Sequence, residues 1–168
     1  MAGFPCHRDH VVVGRGLTET FRLIPCEADG FPADLGLSLP EFARSACEMS
    51  AVWYPKVGYF PPWIGYLSII EGSVVGGGGF KEPPQDGRVE IAYFTAPGFE
   101  GRGHATRTAR ALIEITRQAN PALLIAAQTL PEENASTTIL RKLGFRLHGS
   151  VHHPEDGEIW EWRFEDSN

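Results

Sequence analysis

The chain has 168 residues, 42% of them hydrophobic and 21% charged, with a formal net charge of −6. This length suits one soluble domain around a single core. The acidic balance excludes a general nucleic-acid binder, which needs a basic face to displace counterions.

A first strand is expected at residues 19–25 (ETFRLIP). A helix follows from Ser38, where Ser-Leu-Pro-Glu offers a capping box with proline in the first turn. Phe42, Ala46, Met49 and Trp53 then recur at helical spacing. Three strand-like runs, WIGYLSII, SVVGGGGF and RVEIAYFT, are separated by EG and KEPPQDG, which predicts antiparallel hairpins. Glycines 76–79 lie within a run and read as a thin, close-packed strand or bulge. The second helix is expected over about residues 103–119, with Ala105, Ala109, Leu112, Ile113 and Thr116 on one face. LLIAAQTL has the length and unbroken apolarity of a buried strand. A third helix, about 134–143, has Ala135, Ile139, Leu140 and Leu143 on its apolar face and stops at Gly144-Phe145, as in a Schellman end. The chain closes with a hairpin around Pro154-Glu155-Asp156-Gly157, and its last strand, EIWEWRFE, alternates Trp160, Trp162 and Phe164 against Glu161 and Arg163. Strand, helix, three strands, helix, strand, helix, two strands is the order of a mixed α/β (α+β) sheet of about seven strands, in one domain over 1–168. That last strand reads as an edge, which leaves a monomer or a homodimer open.

Cys6, Cys26 and Cys47 are far apart and form no Cys-x-x-Cys pair, which suits a reducing compartment. MAGFPCHRDH lacks the apolar centre of a signal peptide and no run approaches 18 apolar residues, so a cytoplasmic protein without a membrane partner is expected. His7, His10, His152 and His153 do not combine with the cysteines at zinc spacing, so no metal is expected. VWYPKVGYFPPWIGY is dense in aromatics; Trp53, Tyr54 and Trp63 are candidates for lining an acceptor pocket, with most of the cluster expected as core.

Gly98-Phe99-Glu100-Gly101-Arg102-Gly103-His104-Ala105-Thr106 stands between a strand and a helix. Glycine inside a helix costs about 1 kcal/mol against alanine, so bare backbone at this junction has a use. Successive N–H groups and the positive end of the helix dipole attract phosphate there; for the two glycines taken alone, a plain strand-to-helix turn is the stronger account. A Rossmann site would need a third glycine and an early βαβ unit, and a P-loop would need Gly-Lys-Ser/Thr.

VEIAYFTAPGFEGRGHATRTARALIEI resembles the central motif of the GNAT superfamily, the acetyl-CoA-dependent N-acetyltransferases. The family pattern Gln/Arg-x-x-Gly-x-Gly/Ala corresponds here to Glu100-Gly101-Arg102-Gly103-His104-Ala105. LPEENASTTILRKLGF resembles the second cofactor-side motif. GGGGFKEPPQDGRVEIAYF and DGEIWEWRF are similar to the branch related to ribosomal-protein-alanine acetyltransferases. The likeness covers residues 65–164, and the first 60 residues by element order.

The resemblance implies a twisted sheet whose fourth and fifth strands, RVEIAYFT and LLIAAQTL, splay apart. Acetyl-CoA would be the co-substrate, its pantetheine pairing near Phe94, Thr95 and Ala96. Its pyrophosphate would sit on the N–H groups of Gly101, Arg102, Gly103, His104 and Ala105, with Thr106 beside them. Arg102, Arg107 and Arg141 would add charge, unless they are ordinary solvated arginines. Asn134 lies two residues before Ser136, where the family spacing is three, and N-capping accounts for it equally. Glu100 replaces the family's glutamine or arginine and puts a carboxylate near the pyrophosphate, which predicts weaker affinity. Leu140 and Arg141 stand where some branches carry a tyrosine acid.

The implied reaction moves acetyl to a primary amine, of a peptide N-terminus or a small molecule, by direct attack in a ternary complex. Glu90 shares a strand face with Ala92 and Phe94 and is the candidate base; a buried structural acceptor is its alternative. Backbone N–H near Thr95 would hold the oxyanion. Ser136 is the candidate acid for the thiolate, or else only a helix-start hydroxyl. A non-catalytic acyl-CoA-binding or regulatory domain and a nucleotide- or phosphate-binding module are the alternatives from other classes.

Overall fold

The computed structural model of the chain describes residues 20–33, 36, 38–153 and 157–165. Cys6, His7, His10 and the turn residues 154–156 lie outside them. The elements are β1 (Phe21–Pro25), α1 (Glu41–Val57), β2 (Gly65–Ile70), β3 (Ser73–Phe80), β4 (Arg88–Thr95), α2 (His104–Ala119), β5 (Leu124–Thr129), α3 (Ala135–Leu143), β6 (Phe145–His153) and β7 (Gly157–Phe164). This is the order expected from the sequence. All seven strands form one sheet, β1-β2-β3-β4-β5-β7-β6, antiparallel except for the parallel β4–β5 pair. Glu71 and Gly72 (φ 48° and 82°) turn β2 into β3, and Asp86 and Gly87 (φ 48° and 74°) lead into β4. Two consecutive left-handed residues match the twist of a hairpin.

Three sequence expectations are corrected. The final strand is not an edge: β7 pairs with β5 from Ala126↔Arg163 to Thr129↔Trp160 and with β6 on its other side. Trp162 is fully buried and Glu161 is buried beside it, whereas β6 exposes Leu147 and Val151. Burial on both faces suits an interior place, and the edges are β1 and β6. Second, α1 starts at Glu41 with Pro40 as its N-cap and no side-chain cap. Proline disfavours helical backbone in the residue before it, so the helix cannot reach back to Ser38, and the capping box does not form.

Third, the buried face of α1 is Ala43, Cys47 and Tyr54, while Met49 and Trp53 from the expected stripe are 74% and 43% exposed. The preceding loop comes very close to this helix: a Cβ on Gly30 would lie 2.5 Å from the Cys47 carbonyl oxygen and from the Ala51 nitrogen. Tyr54 then reaches β2, its hydroxyl accepting from the Gly65 N–H at 2.9 Å.

One sheet face carries α2 and α3, where Val89, Ile91, Ile125 and Trp162 pack with Ala109, Leu112 and Leu140. On the other face α1 covers β2 and β3, with Leu67, Ile69 and Val74 around Ala43 and Cys47. Beyond α1 that second face is open, and Ala92 and Phe94 of β4 are exposed on it.

The glycine run makes β3 thin enough for α2 to lie on it. A Cβ on Gly78 would stand 2.7 Å from the Ala92 carbonyl oxygen and 3.0 Å from Thr108 Cγ2. Thr108 is tied to Ser68 of β2 by a 2.7 Å hydroxyl–hydroxyl bond. Gly78→Ala is therefore expected to lower stability by about 1–3 kcal/mol, the usual cost of overpacking, read from the denaturant midpoint.

Candidate active site

β4 and β5 share three rungs, Arg88↔Leu124, Val89↔Ile125 and Glu90↔Ala126, and then part. Between them opens a cleft of about 90 Å³ whose walls include Ile91, Tyr93, Gln128, Thr129, Ser136 and Leu140. The splay expected of the fourth and fifth strands is present. Lys81 N–H donates to the Glu90 carbonyl, and Ala96 N–H to the Val75 carbonyl. By alternation the backbone groups of Glu90, Ala92, Phe94 and Ala96 serve β3, and those of Ile91, Tyr93 and Thr95 face the gap. An extended ligand laid there would be bonded as a strand. Thr95 thus offers its backbone to the cleft, the Ala96 N–H is committed, and the Phe94 ring lies over Gly77.

The cleft leads to the head of α2. Gly98, Gly101 and Gly103 have φ of 85°, 74° and 79°, and around each the space where a Cβ would sit is open. Gly103 is the N-cap of α2; no side chain caps this helix and no acid lies in its first turn. The N–H groups at the start of a helix have no intrahelical partner, so the cradle of Gly101, Arg102, Gly103, His104, Ala105 and Thr106 is open to an anion, and the pyrophosphate of acetyl-CoA fits its chemistry. Glu100 turns its carboxylate back on the loop, accepting from Gly98 N–H at 2.7 Å. The Arg102 guanidinium stacks on Phe99, 5.6 Å from the ring centre.

At α3 the arrangement is the reverse. Asn134 Oδ1 accepts from Ser136 N–H (2.9 Å) and Thr137 N–H (3.1 Å), and Asn134 N–H donates to Thr137 Oγ1. Asn134 caps its own helix. Arg141 forms a bidentate pair with Glu133, Nη2 lying 2.6 Å from Oε1, and stands over Trp162.

Ser136 lines the cleft from the first turn of α3. Tyr93 lines it as well, donating a long 3.5 Å bond to the Ser136 carbonyl, and burial pushes its phenol well above the ordinary range. Sequence reading passed over Tyr93; strand alternation, which sets it opposite Glu90, was the available signal. The Thr129 hydroxyl is engaged, accepting from Trp162 Nε1 at 3.0 Å.

Glu90 sits on the last rung, 9% exposed, facing away from α2 and α3. Its Oε2 is 3.0 Å from Arg88 Nη2 and its Oε1 is 3.2 Å from Lys81 Nζ, the latter without hydrogen-bond geometry. Arg88 Nη2 also reaches Glu161 Oε2 at 3.1 Å, and Arg163 Nε reaches Glu161 Oε1 at 2.8 Å. Burial pushes the Glu161 carboxyl up, but the Arg163 hydrogen bond and the charges of Arg88 and Arg163 outweigh it and hold the group below the usual carboxylate range. A lowered folded-state pKa gives stability that is present above the ordinary carboxylate pKa and lost as pH falls through the lowered one. Glu161→Gln is expected to flatten this acid limb in melting curves taken from pH 6 to pH 3.

The aromatic candidates separate. Tyr54 is core, Trp63 packs edge-on against Phe80 at 5.1 Å, and Trp53 stays half-exposed with its Nε1 donating to the Lys81 carbonyl. Among the described residues no cluster of side chains could hold a metal, and no helix is long and apolar enough to cross a membrane.

The sequence model of the family described as Acetyltransferase (GNAT) domain matches residues 41–146. Among solved structures, RimL, a ribosomal L7/L12 alpha-N-protein acetyltransferase in its apo form, superposes with a TM-score of 0.62 at 17% identity, over 85% of this chain and 91% of its own. The aminoglycoside acetyltransferase AAC(6')-Ib, in complex with coenzyme A, gives 0.52 at 22% identity over 60% of this chain. A GNAT-family acetyltransferase from Bacillus anthracis gives 0.52 at 20% identity, also over 60%. The chain spans 64% of the length of each of these last two. No curated protein sequence matches it significantly. The structural likenesses are likenesses of fold; the family match covers well over half of the residues, and the chain belongs to the GNAT family of acetyl-CoA-dependent acetyltransferases.

Proposed function

We propose that residues 1–168 act as one N-acetyltransferase domain, moving acetyl from acetyl-CoA to a primary amine by direct attack in a ternary complex. The observation that carries this is the continuity of the β4–β5 gap with the uncapped head of α2: one extended ligand can pair with Tyr93 and Thr95 while its phosphates meet the cradle. The thioester then lies in the cleft, its oxygen on backbone N–H near Thr95, and the amine enters from the open sheet face. The nitrogen lone pair forms the C–N bond and the C–S pair leaves with sulfur. Glu90 takes the amine's proton through a water, because it lies one rung below the opening. Ser136 supplies the proton for the departing thiolate.

At pH 7 a lysine amine (pKa about 10.4) costs about 4.6 kcal/mol to deprotonate, and an α-amine (about 7.8) about 1 kcal/mol. A modest base therefore suffices for an α-amine. The printed descriptions of the similar structures include both a protein α-amine enzyme and an aminoglycoside enzyme, so both acceptor kinds belong in the test. The free, buried thiols of Cys26 and Cys47 support a reducing compartment, and we assign the protein to the cytoplasm as a monomer or homodimer.

The test is acetyl-CoA consumption across peptides with free N-termini, polyamines, aminoglycosides and amino acids. Turnover with at least one amine is expected. Tight acetyl-CoA binding with no turnover on any of them would leave an acyl-CoA-binding domain, and preference for ATP would leave a nucleotide module.

A further inference from the structure

On the sheet face turned away from α2 and α3, five charged side chains form one connected group. Lys81 lies against Glu90, Arg88 bridges Glu90 and Glu161, and Arg163 holds the other oxygen of Glu161. Three cations meet two carboxylates, an excess of one positive charge in a chain of net charge −6. The acids are the covered members, with side chains 10% and 11% exposed, whereas Lys81, Arg88 and Arg163 keep 44%, 32% and 37%.

Two cations would neutralise two acids, and the third leaves donors over. A guanidinium carries five N–H groups in a planar fork suited to carboxylate. Arg88 uses Nη2 and Arg163 uses Nε; the other nitrogens of both have no partner among the described residues. Glu161 fixes the two guanidinium groups from below.

The group stands at the foot of the cleft. Glu90 is on the last shared rung, and Gln128, which lines the cleft, pairs with Glu161. Ala92, also lining it, lies two residues along β4 on the same face, about 7 Å from the Glu90 rung at strand spacing.

We propose that this group selects acceptors that carry a carboxylate about 5–7 Å from the attacking nitrogen, held by the unused Nη1–Nη2 edge of Arg163 with the spare Nη1 and Nε donors of Arg88 beside it; the inference rests on the acetyl-transfer reading above. A polycationic amine would meet the surplus positive charge instead. The same chemistry is offered by an N-terminal glutamate of a peptide and by a free ω-amino acid.

The experiment compares matched acceptors with the full chain and acetyl-CoA. One pair is a tripeptide amide beginning with Glu and its Gln counterpart; the second is 4-aminobutyrate and 4-aminobutyramide. In at least one pair kcat/KM for the carboxylate is expected to exceed that for the amide about tenfold or more, the scale of one charge-assisted hydrogen bond. The pair that shows it identifies the source. In Arg163→Gln this ratio should fall towards one, and Arg163→Lys should keep part of it. A wild-type ratio within twofold of one in both pairs overturns the proposal, as does a preference that survives in both Arg163→Gln and Arg88→Gln. Equilibrium binding of the same pairs to the coenzyme A complex reads the ratio without turnover, so a failure of recognition is told apart from a failure of acetyl transfer.

Discussion

Gly103→Val is expected to abolish the stabilisation of this protein by acetyl-CoA. At a hundred times its dissociation constant a ligand stabilises by about 2.7 kcal/mol, about 5–10 °C in Tm for a domain of this size. Gly103 holds φ at 79° as the N-cap of α2, a region that costs a β-branched residue on the order of 1–3 kcal/mol. Valine escapes by rotating the peptide, and that rotation turns N–H groups out of the cradle. Strain alone also lowers the apo Tm, so Gly72→Val is the control: Gly72 has φ 82° in the β2–β3 turn, far from the cradle in the chain. It should lose comparable apo stability and keep the full shift. An unchanged shift in Gly103→Val would remove the cradle as the pyrophosphate site, and a wild-type shift with ATP but none with acetyl-CoA would refute the cofactor assignment.

Glu90→Gln is expected to lower turnover about 10²–10⁴-fold, the usual range for a lost acid–base group, with the acetyl-CoA shift in Tm intact. The defect should shrink as pH rises, because the amine then arrives neutral. The ion group makes this substitution decisive. If Glu90 serves only to neutralise Lys81 and Arg88, which lie 3.2 and 3.0 Å away, the variant loses Tm, and its activity falls by the same factor at every pH. Arg88 keeps Glu161 as a partner at 3.1 Å, so the fold should survive for the measurement. Wild-type turnover in Glu90→Gln would take the residue out of the chemistry.

Much of the local geometry around the candidate site is legible in the chain because it depends on neighbouring residues. The glycine cradle is a local matter: a residue with φ near 79° at Gly103 almost requires glycine, and glycine at a strand–helix junction is visible in the sequence. The cap at Asn134 and the left-handed stop at Gly144 are local in the same way. Tyr93 was not legible. Its contact with Ser136 spans 43 positions, and nothing within a strand tells which face will meet a later helix. Nor was the ion group, in which Arg88 and Glu161 lie 73 positions apart. Glu90 alone looked like a solitary carboxylate in an apolar strand.

Element order, hairpin turns and the family motif are written in short stretches of the chain, because backbone preference and periodicity act over a few residues. Tertiary structure decided what those elements touch. It placed β7 inside the sheet because Trp162 and Glu161 are buried on opposite faces. It turned Ala43, Cys47 and Tyr54 of α1 inward in place of Met49 and Trp53, with Gly30 lying close against the helix backbone. It ended the β4–β5 ladder at Glu90↔Ala126, and so set where the cleft begins. Each of these depends on burial between segments distant in the chain, which no short stretch of residues encodes.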